Sequence, residues 1–288
     1  MRYRIADLIV EMSPKGRTAA QAEVYRTSAR CGAADITIRV GGAEALSLCP
    51  ELETEDLAEY IATGDCFAVG LLSHEGMMLH ASAVEYGGQA VCFSAPPGTG
   101  KSTHTEKWVR LFGASILNDD KPALRRESGV WQVYGTPWSG KEALNQNRNA
   151  PLRAICFLFQ GEENALQPLT PAEALPLLLS QTPFRLHRED MDRLLAAADR
   201  LLRETNVFRL ICRNDDSAAY FVREKLFPDA KWLRLYHELS GEIITIGTDA
   251  HTPEFVGMRA HETQELLKSC GLNYVCTFEK KKPVFHKI

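Results

Sequence analysis

The 288-residue chain lacks an excess of positive charge, because 33 lysines and arginines stand against 37 aspartates and glutamates, a formal net charge of −4. A nucleic-acid binder that neutralises phosphates needs the opposite balance, so we expect no nucleic-acid partner. The chain also lacks an apolar run near the ~20 residues that span a bilayer. Charges interrupt the apolar N-terminal stretch, which is not typical of a signal peptide. We therefore expect a cytoplasmic protein without a membrane association.

Metal-binding cysteine spacing is missing as well. No two of the eight cysteines are separated by the two to four residues of a zinc knuckle. Most lie in apolar runs, as Cys92 and Cys156 do in VCF and AICFLF, which predicts buried free thiols in a reducing compartment. Hydrophobic residues make up 45% and charged residues 24% of the chain, an ordinary globular composition.

Runs with strand and helix periodicity alternate along the chain, which predicts a mixed α/β fold. A short helix opened by Thr54 is predicted over residues 54–64, and two strands are predicted over residues 66–72 and 77–86. Residues 101–112 have helical spacing.

A new helix–strand pattern starts near residue 228. It includes a strand that runs into a polar loop, predicted over residues 242–251. We therefore divide the chain into a domain over residues 1–228 and a shorter segment over residues 229–288.

The string APPGTGKST, residues 95–103, matches the phosphate-binding loop pattern. Gly98 and Gly100 let the backbone turn its N–H groups towards phosphate oxygens. In this pattern Lys101 reaches the β- and γ-phosphates, and Ser102 supplies a hydroxyl to Mg²⁺. A predicted strand precedes the loop and a predicted helix follows it, as a nucleotide site requires. The predicted nucleotide-binding residues are Gly98, Thr99, Gly100, Lys101, Ser102 and Thr103.

Several residues near this loop are further candidates. Asp119 and Asp120 end a short apolar strand, where an aspartate of a P-loop enzyme holds Mg²⁺ or orients a nucleophile; the alternative is a solvated turn. His80 lies in an apolar strand, either as a core residue or as a partner of one of these aspartates. His104 is expected on the exposed first turn of the helix. YGTPWSGK, residues 134–141, is either a lid or a surface hairpin.

With these strings in hand, a resemblance is clear. Residues from about 70 to 160 resemble the HPr kinase/phosphorylase-like branch of the phosphoenolpyruvate-carboxykinase superfamily, through LHASAV, FSAPPGTGKSTHTEKW, NDDKPALR and YGTPWSGK. The first seventy residues do not resemble the N-terminal domain of HPr kinases. The resemblance implies a P-loop kinase-like mixed sheet with flanking helices.

The resemblance also implies site residues and ligands. The implied active site contains His80, Lys101, Ser102, Asp119 and Asp120, with ATP and Mg²⁺ bound. The family pattern makes Asp120 the general base towards a substrate hydroxyl. Asp119 and Ser102 would then hold the metal. The residues alone leave open which aspartate is the base.

The tail resembles a different family. Residues 241–288 are similar to the C-terminal end of histidinol-phosphatases of the PHP family, metal-dependent phosphoesterases on a distorted β/α barrel. This resemblance implies that Asp249 and His251 belong to a metal site, with Mn²⁺ or Zn²⁺. The His-x-His motif that opens the site of that family occurs nowhere in the chain. We therefore interpret residues 229–288 as a partial PHP segment, a remnant or a fusion.

The leading prediction is a P-loop kinase, a phosphotransferase that moves a phosphoryl group from ATP to a hydroxyl. The acceptor, a protein, a peptide or a small molecule, stays open, as does an oligomeric state. One alternative is a metal-dependent phosphatase carried by the tail. Another is an ATP-binding regulatory module without catalysis.

Overall fold

A computed structural model of the chain describes residues 1–28, 32–48, 52–182, 188–227, 230–246 and 260–288. These residues form two compact units, Met1–Val222 and Arg223–Ile288. Strands and helices occur in both units, which confirms the mixed α/β class. The functional division at residue 228 stays a prediction. Within the described ranges, no helix is both long enough and apolar enough to cross a membrane.

The first unit contains most of the secondary structure. Its strands are β1 (Arg2–Ile5), β2 (Leu8–Glu11), β3 (Ile36–Thr37), β4 (Gly76–Met78), β5 (Ala81–Tyr86), β6 (Gln89–Ser94), β7 (Ser115–Asn118), β8 (Ala123–Glu127), β9 (Val130–Tyr134), β10 (Asn149–Gln160), β11 (Ala165–Pro168) and β12 (Val207–Cys212). Its helices are α1 (Gly16–Ala22), α2 (Gly42–Leu48), α3 (Glu55–Leu71), α4 (Lys101–Phe112), α5 (Pro171–Ser180), α6 (Arg188–Glu204) and α7 (Asp216–Leu226), the last of which runs into the second unit.

The main sheet of the first unit is mixed. Its strands follow the order β4-β8-β9-β10-β6-β5-β7 among the described residues. The first residues of β10 pair antiparallel with β9, and its later residues pair parallel with β6 and with β12. Parallel neighbours need a crossover connection, and α4 and the pair α5–α6 lie in the two connections. A separate sheet contains β1, β2 and β3.

Helix α3 is longer than the sequence predicted. Its first turn begins as expected, because the Thr54 side chain accepts a hydrogen bond from the Leu57 N–H at 3.3 Å. The strand predicted over residues 66–72 is wrong, since most of this run forms the second half of the helix. Phe67 and Leu71, one turn apart, are both fully buried in the same apolar cluster. A short apolar run carries no period that distinguishes a buried helix from a strand.

The cysteine prediction holds for most of the described thiols. The buried free cysteines are Cys92, Cys156, Cys212, Cys270 and Cys276. The prediction is wrong for Cys66, which lies on α3 and is exposed. Cys31 and Cys49 lie outside the described residues.

The second unit contains α8 (Ala230–Glu238), α9 (Ala260–Ser269) and the hairpin of β13 (Tyr274–Glu279) with β14 (Lys282–Lys287). The strand predicted over residues 242–251 is wrong for its described part, because residues 242–246 are irregular. Their side chains pack instead, with Ile244 and Ile246 partly buried against the apolar cluster that includes Leu267.

His104 is a core residue and not the exposed residue that the sequence predicted. It is 3% exposed, its Nε2 accepts a hydrogen bond from Trp108 Nε1 at 3.2 Å, and its ring packs against Phe93. The four-residue spacing puts His104 and Trp108 on one face of α4, which is the buried face. Burial lowers the pKa of His104 to about 3, and the charge of Lys107 acts in the same direction.

The buried imidazole predicts a pH-dependent stability. In the unfolded chain His104 binds a proton below its ordinary pKa of 6.5, whereas in the folded protein it does so only near 3. The unfolded state therefore binds more protons in this window, and the free energy of unfolding falls as the pH drops below 6.5. The loss from this one group is about 1.4 kcal/mol per pH unit. Urea unfolding of wild type at several pH values, followed by tryptophan fluorescence, measures it.

His104→Gln keeps an acceptor for Trp108 but does not titrate, so its pH dependence between 6.5 and 4 should be shallower by that amount. His237→Gln, in the second unit, serves as the control. Equal slopes for wild type and His104→Gln would show that His104 does not carry the effect.

Candidate functional site

Strand directions bring three predicted segments to one edge of the main sheet. The loop 95–100 follows the carboxyl end of β6, and antiparallel β5 starts beside it, with Ala81 paired to Ser94. β7 is antiparallel to β5 and therefore parallel to β6, so it ends at the same edge. His80 directly precedes β5, and Asp119 directly follows β7. In open α/β sheets, ligands bind outside the carboxyl ends of such strands.

The glycine-rich loop has the backbone that the motif requires. Gly98 has φ +79° and Gly100 has φ +108°, values that side-chain-bearing residues rarely adopt. A Cβ atom at either position would meet no described heavy atom within 4 Å, so conformation and not crowding requires glycine. Thr99 donates to a loop carbonyl at 2.9 Å, whereas Ser102 and Thr103 are exposed on the first turn of α4.

Lys101 lies inside the loop. It is 9% exposed, and its Nζ donates to the carbonyl oxygens of Ala95 at 2.5 Å and Pro96 at 3.4 Å. Burial lowers the pKa of Lys101, and the negative charge of Asp120 opposes this effect. The ammonium group is thus desolvated beside the glycine-rich loop and within electrostatic range of a carboxylate.

His80 contacts Asp120. Its Nε2 lies 3.3 Å from Asp120 Oδ1, and its Nδ1 lies 3.0 Å from Gln181 Oε1. Burial lowers the pKa of His80, the charge of Lys101 acts in the same direction, and Asp120 opposes both. The other oxygen of Asp120 accepts a hydrogen bond from Lys121 Nζ at 3.0 Å. Both carboxylate oxygens of Asp120 therefore face basic groups.

Asn118 organises the turn that carries the two aspartates. It is fully buried, and its Oδ1 accepts hydrogen bonds from the backbone N–H groups of Asp120 at 2.8 Å and Lys121 at 2.6 Å. Its Nδ2 donates to the Thr136 carbonyl at 2.9 Å. An asparagine side chain that bonds to the backbone two residues later forms such a turn by itself. The turn is therefore fixed by hydrogen bonds to a buried side chain, unlike a solvated Asp-Asp turn.

Asp119 is held by residues 134–141, the segment that is predicted to be either a lid or a surface hairpin. Residues 135–139 are buried, so the surface hairpin is wrong. The Gly140 N–H donates to Asp119 Oδ1 at 2.5 Å, and a Cβ atom at Gly140 would lie 2.6 Å from Asp119 Oδ2. A side chain at position 140 would therefore push the Asp119 carboxylate out of its present position. Burial raises the pKa of Asp119, the Gly140 N–H lowers it, Asp120 raises it and Arg17 lowers it.

Two residues of the N-terminal segment hold the loop around Gly140. The Arg17 guanidinium donates to the carbonyls of Ser139 and Gly140, both at 2.8 Å, and lies 4.1 Å above the Tyr60 ring centroid. The Tyr60 hydroxyl donates to the same Ser139 carbonyl at 2.5 Å. Burial raises the pKa of Tyr60, so its hydroxyl stays a donor. These bonds keep the Gly140 amide directed at Asp119.

The predicted site residues thus fall into two groups. His80, Lys101 and Asp120 interact at the sheet edge, with Ser102 on the first turn beside them and Asp119 next in the chain. Asp249 and His251 lie outside the described residues. Among the residues that are described, no cluster of three or more His, Cys, Asp or Glu side chains forms a metal cage.

Sequence reasoning missed four residues that support this site. Asn118 bonds to the backbone of the aspartate turn, and Gln181 contacts His80. Arg17 and Tyr60 hold the loop around Gly140. Asn118 could have been found, because an asparagine at a strand end before two aspartates is a turn signal. The other three reach the site through tertiary contacts that no local pattern reports.

Comparisons with known proteins give separate relationships for separate parts of the chain. The probable histidinol-phosphatase of Thermotoga maritima is 32% identical over 66 residues, which is 23% of this chain and 28% of that protein. The chain thus spans about a quarter of the length of this curated relative. The structure of the Hpr(Ser) kinase/phosphatase from Coxiella burnetii aligns with 56% of this chain and 99% of that chain, at 12% identity and a TM-score of 0.32. A likeness at this level does not establish a shared fold, so the P-loop kinase and PHP-barrel assignments stay predictions.

A family relationship covers the middle of the chain. Residues 67–213 match the family described as SynChlorMet cassette protein ScmC. This range includes the glycine-rich loop, His80, the aspartate turn and the loop around Gly140, and it excludes Arg17 and Tyr60. It makes up just over half of the 288 residues. The chain therefore belongs to the family of SynChlorMet cassette protein ScmC.

Proposed function

We propose that this protein transfers the γ-phosphoryl group of ATP to a hydroxyl group of a protein, a peptide or a small molecule. The observation that carries the proposal is the position of Asp120 at the sheet edge. Its Oδ1 lies 3.3 Å from His80 Nε2. It also lies within electrostatic range of Lys101, which directly follows the glycine-rich loop. A carboxylate next to a phosphate-binding loop is the arrangement in which a hydroxyl can be activated towards a phosphate.

The nucleotide phosphates are expected on the loop 95–100 and the first turn of α4. Its N-terminal N–H groups and its helix dipole favour a bound anion. Lys101 already reaches the carbonyls of this loop, so a small change of its side chain brings the ammonium to a phosphate oxygen. Ser102 and Asp119 offer the hydroxyl and carboxylate oxygens that Mg²⁺ prefers, and a bound Mg²⁺ would neutralise phosphate charge. Mg²⁺ usually takes one or two protein carboxylates together with phosphates, which fits a site without a protein cage among the described residues.

Asp120 is the proposed general base. It takes the proton of the acceptor hydroxyl while the hydroxyl oxygen forms a bond to the γ-phosphorus. The bond from that phosphorus to the ADP oxygen breaks, and ADP leaves with the electron pair. His80, at 3.3 Å, and Lys121, at 3.0 Å, hold the carboxylate in place during this step. Catalysis then comes mostly from positioning and charge neutralisation.

Lys101→Ala tests the nucleotide site. Loss of a charged hydrogen-bond donor should weaken ATP·Mg²⁺ binding by about 10- to 100-fold, as measured by isothermal titration calorimetry. Lys107→Ala is a matched control, because Lys107 is equally buried, lies on the same helix and donates to Asn214. Equal ATP affinity in wild type and Lys101→Ala would remove the basis for a P-loop site.

Asp120→Asn tests the proposed base. The amide cannot take a proton, so transfer should fall by about 10²–10⁴-fold, while ATP affinity stays near that of wild type. Mass spectrometry of phosphorylated products from ATP, Mg²⁺ and a panel of hydroxyl acceptors measures the transfer. Asp119→Asn should instead raise the Mg²⁺ concentration that half-maximal rate requires.

Two results would separate the alternatives. Normal turnover in both aspartate variants would contradict the catalytic assignment. ATP binding without any product from the acceptor panel would favour a regulatory nucleotide-binding module.

A second candidate function is metal-dependent phosphoester hydrolysis. The observation that favours it is the 32% identity over 66 residues to a probable histidinol-phosphatase. That match covers 28% of the relative, and a catalytic metal site needs several ligands that converge from different parts of a fold. The candidate therefore ranks below phosphoryl transfer.

Its test uses the full-length protein with histidinol phosphate and Mn²⁺ or Zn²⁺. Under the leading proposal we expect no release of inorganic phosphate above that of the metal alone. Release that His251→Ala abolishes and Lys101→Ala leaves intact would replace the kinase proposal with a phosphatase in the tail.

A further inference from the structure

A cavity of 190 Å³ lies beside the aspartate turn, on the side of Lys121. Helix α3 forms one of its walls with five residues that recur on one helix face, Tyr60, Ile61, Gly64, Asp65 and Ala68. Four of these five precede the part of the chain that matches the ScmC family. Half of the eight lining residues therefore lie outside that match.

The lining also has an aromatic residue, Trp138, which packs on α3. Trp138 is fully buried, its Nε1 donates to Thr63 Oγ1 at 3.1 Å, and its ring stacks on Phe67 with centroids 4.8 Å apart. A Cβ atom at Gly64 would lie 3.0 Å from Trp138 Cδ1, so glycine at this position keeps the wall in place without crowding it. Met78 also lines the cavity, and its thioether suits contact with an aromatic ring. The cavity is thus preformed by the fold.

Lys121 connects the cavity to the proposed base. It lines the cavity, its Nζ donates to Asp120 Oδ2 at 3.0 Å, and the same Nζ lies 5.3 Å from the Tyr60 ring centroid. Burial raises the pKa of Tyr60 most, Arg17 lowers it, and Asp120 and Asp119 raise it. Lys121 is therefore the side chain that the cavity and Asp120 have in common.

We propose that this cavity binds an aromatic ring of the phosphoryl acceptor and presents its hydroxyl to Asp120. The inference rests on the proposed function. An engineered apolar cavity of about 150 Å³ binds benzene, so 190 Å³ has room for one ring with a small substituent. The walls of Trp138, Met78 and Ile61 suit a ring, and the charged groups Lys121 and Asp65 bound it.

The chemistry follows from this placement. The phenolic O–H gives its proton to Asp120, the phenolic oxygen bonds to the γ-phosphorus of ATP, and the bond to ADP breaks, which yields an aryl phosphate and ADP. Both possible acceptors have the same reacting group, a phenol hydroxyl on a single aromatic ring. Its source is a free small molecule or the tyrosine side chain of a peptide.

Binding is tested first and without nucleotide. The probe is 4-methylphenol, followed by saturation-transfer NMR and isothermal titration with the full-length protein. Ala68→Leu puts three more carbons into the cavity from α3 and should weaken binding by about tenfold or more, because one methylene in an apolar pocket changes selectivity by about 10- to 200-fold. Circular dichroism and thermal unfolding check that the variant folds.

A second variant enlarges the same cavity and does not depend on the first. Ile61→Ala should shift the preference from 4-methylphenol towards the larger 2-naphthol, a result that a merely structural role of Ile61 would not produce. Leu57→Ala is the matched control, because Leu57 lies on the same helix and is exposed. Absence of 4-methylphenol binding, or binding that neither cavity variant changes, would overturn the proposal.

Transfer is tested separately with ATP and Mg²⁺. Phosphorylation of 4-methylphenol identifies a small-molecule acceptor, and phosphorylation of only a tyrosine-containing tetrapeptide identifies a protein source. Either product should be lost in Ala68→Leu. Phenol binding in the cavity without an aryl phosphate from either probe would overturn the assignment as an acceptor site. ATP binding that depends on Lys101 would in that case still support the nucleotide half of the proposed function.

Discussion

The candidate site depends on the pairing of one short strand with two neighbours. β5 runs antiparallel to both β6 and β7, with Ala81 opposite Ser94 and Ala83 opposite Asn118. This register puts the start of β5 at the ends of both partners. A slip by one residue would turn every side chain of a strand to the other face of the sheet. The register therefore decides whether His80 meets the aspartate turn.

The register is itself strongly specified. Residues 81–84 of β5 and residues 90–94 of β6 are buried on both faces of the sheet, so a shifted pairing would put side chains of the wrong size into two closely packed layers. Two hydrogen bonds then fix the geometry at the edge. The Ser94 hydroxyl donates to the His80 carbonyl at 2.8 Å, and the Ala81 N–H donates to the Asp120 carbonyl at 2.9 Å. The backbone around His80 is thus tied to both the end of β6, next to the glycine-rich loop, and the aspartate turn.

Local chemistry in the sequence predicted the glycine-rich loop and its helix well. α4 has the bounds 101–112 that its spacing predicts, because Gly100 and Gly113 both have positive φ at its two ends. The run over residues 66–72 was misassigned, since its burial, and not its period, decides its structure. The contact of His80 with Asp120 was one of two alternatives in the sequence, and the strand register favours it. Gln181 arrives from a distant segment and left no local signal.

The hydrogen bond from Arg17 to the Ser139 carbonyl spans 122 positions of sequence. Closing so long a loop costs chain entropy, which the contacts of the docked N-terminal segment must offset. The β5–β6 hairpin and the glycine-rich loop, by contrast, rest on neighbouring residues. The backbone of the glycine-rich loop therefore does not depend on the N-terminal segment, whereas the position of the Gly140 amide does. Alignment of the Asp119 carboxylate is thus tied to the docking of the N-terminal segment.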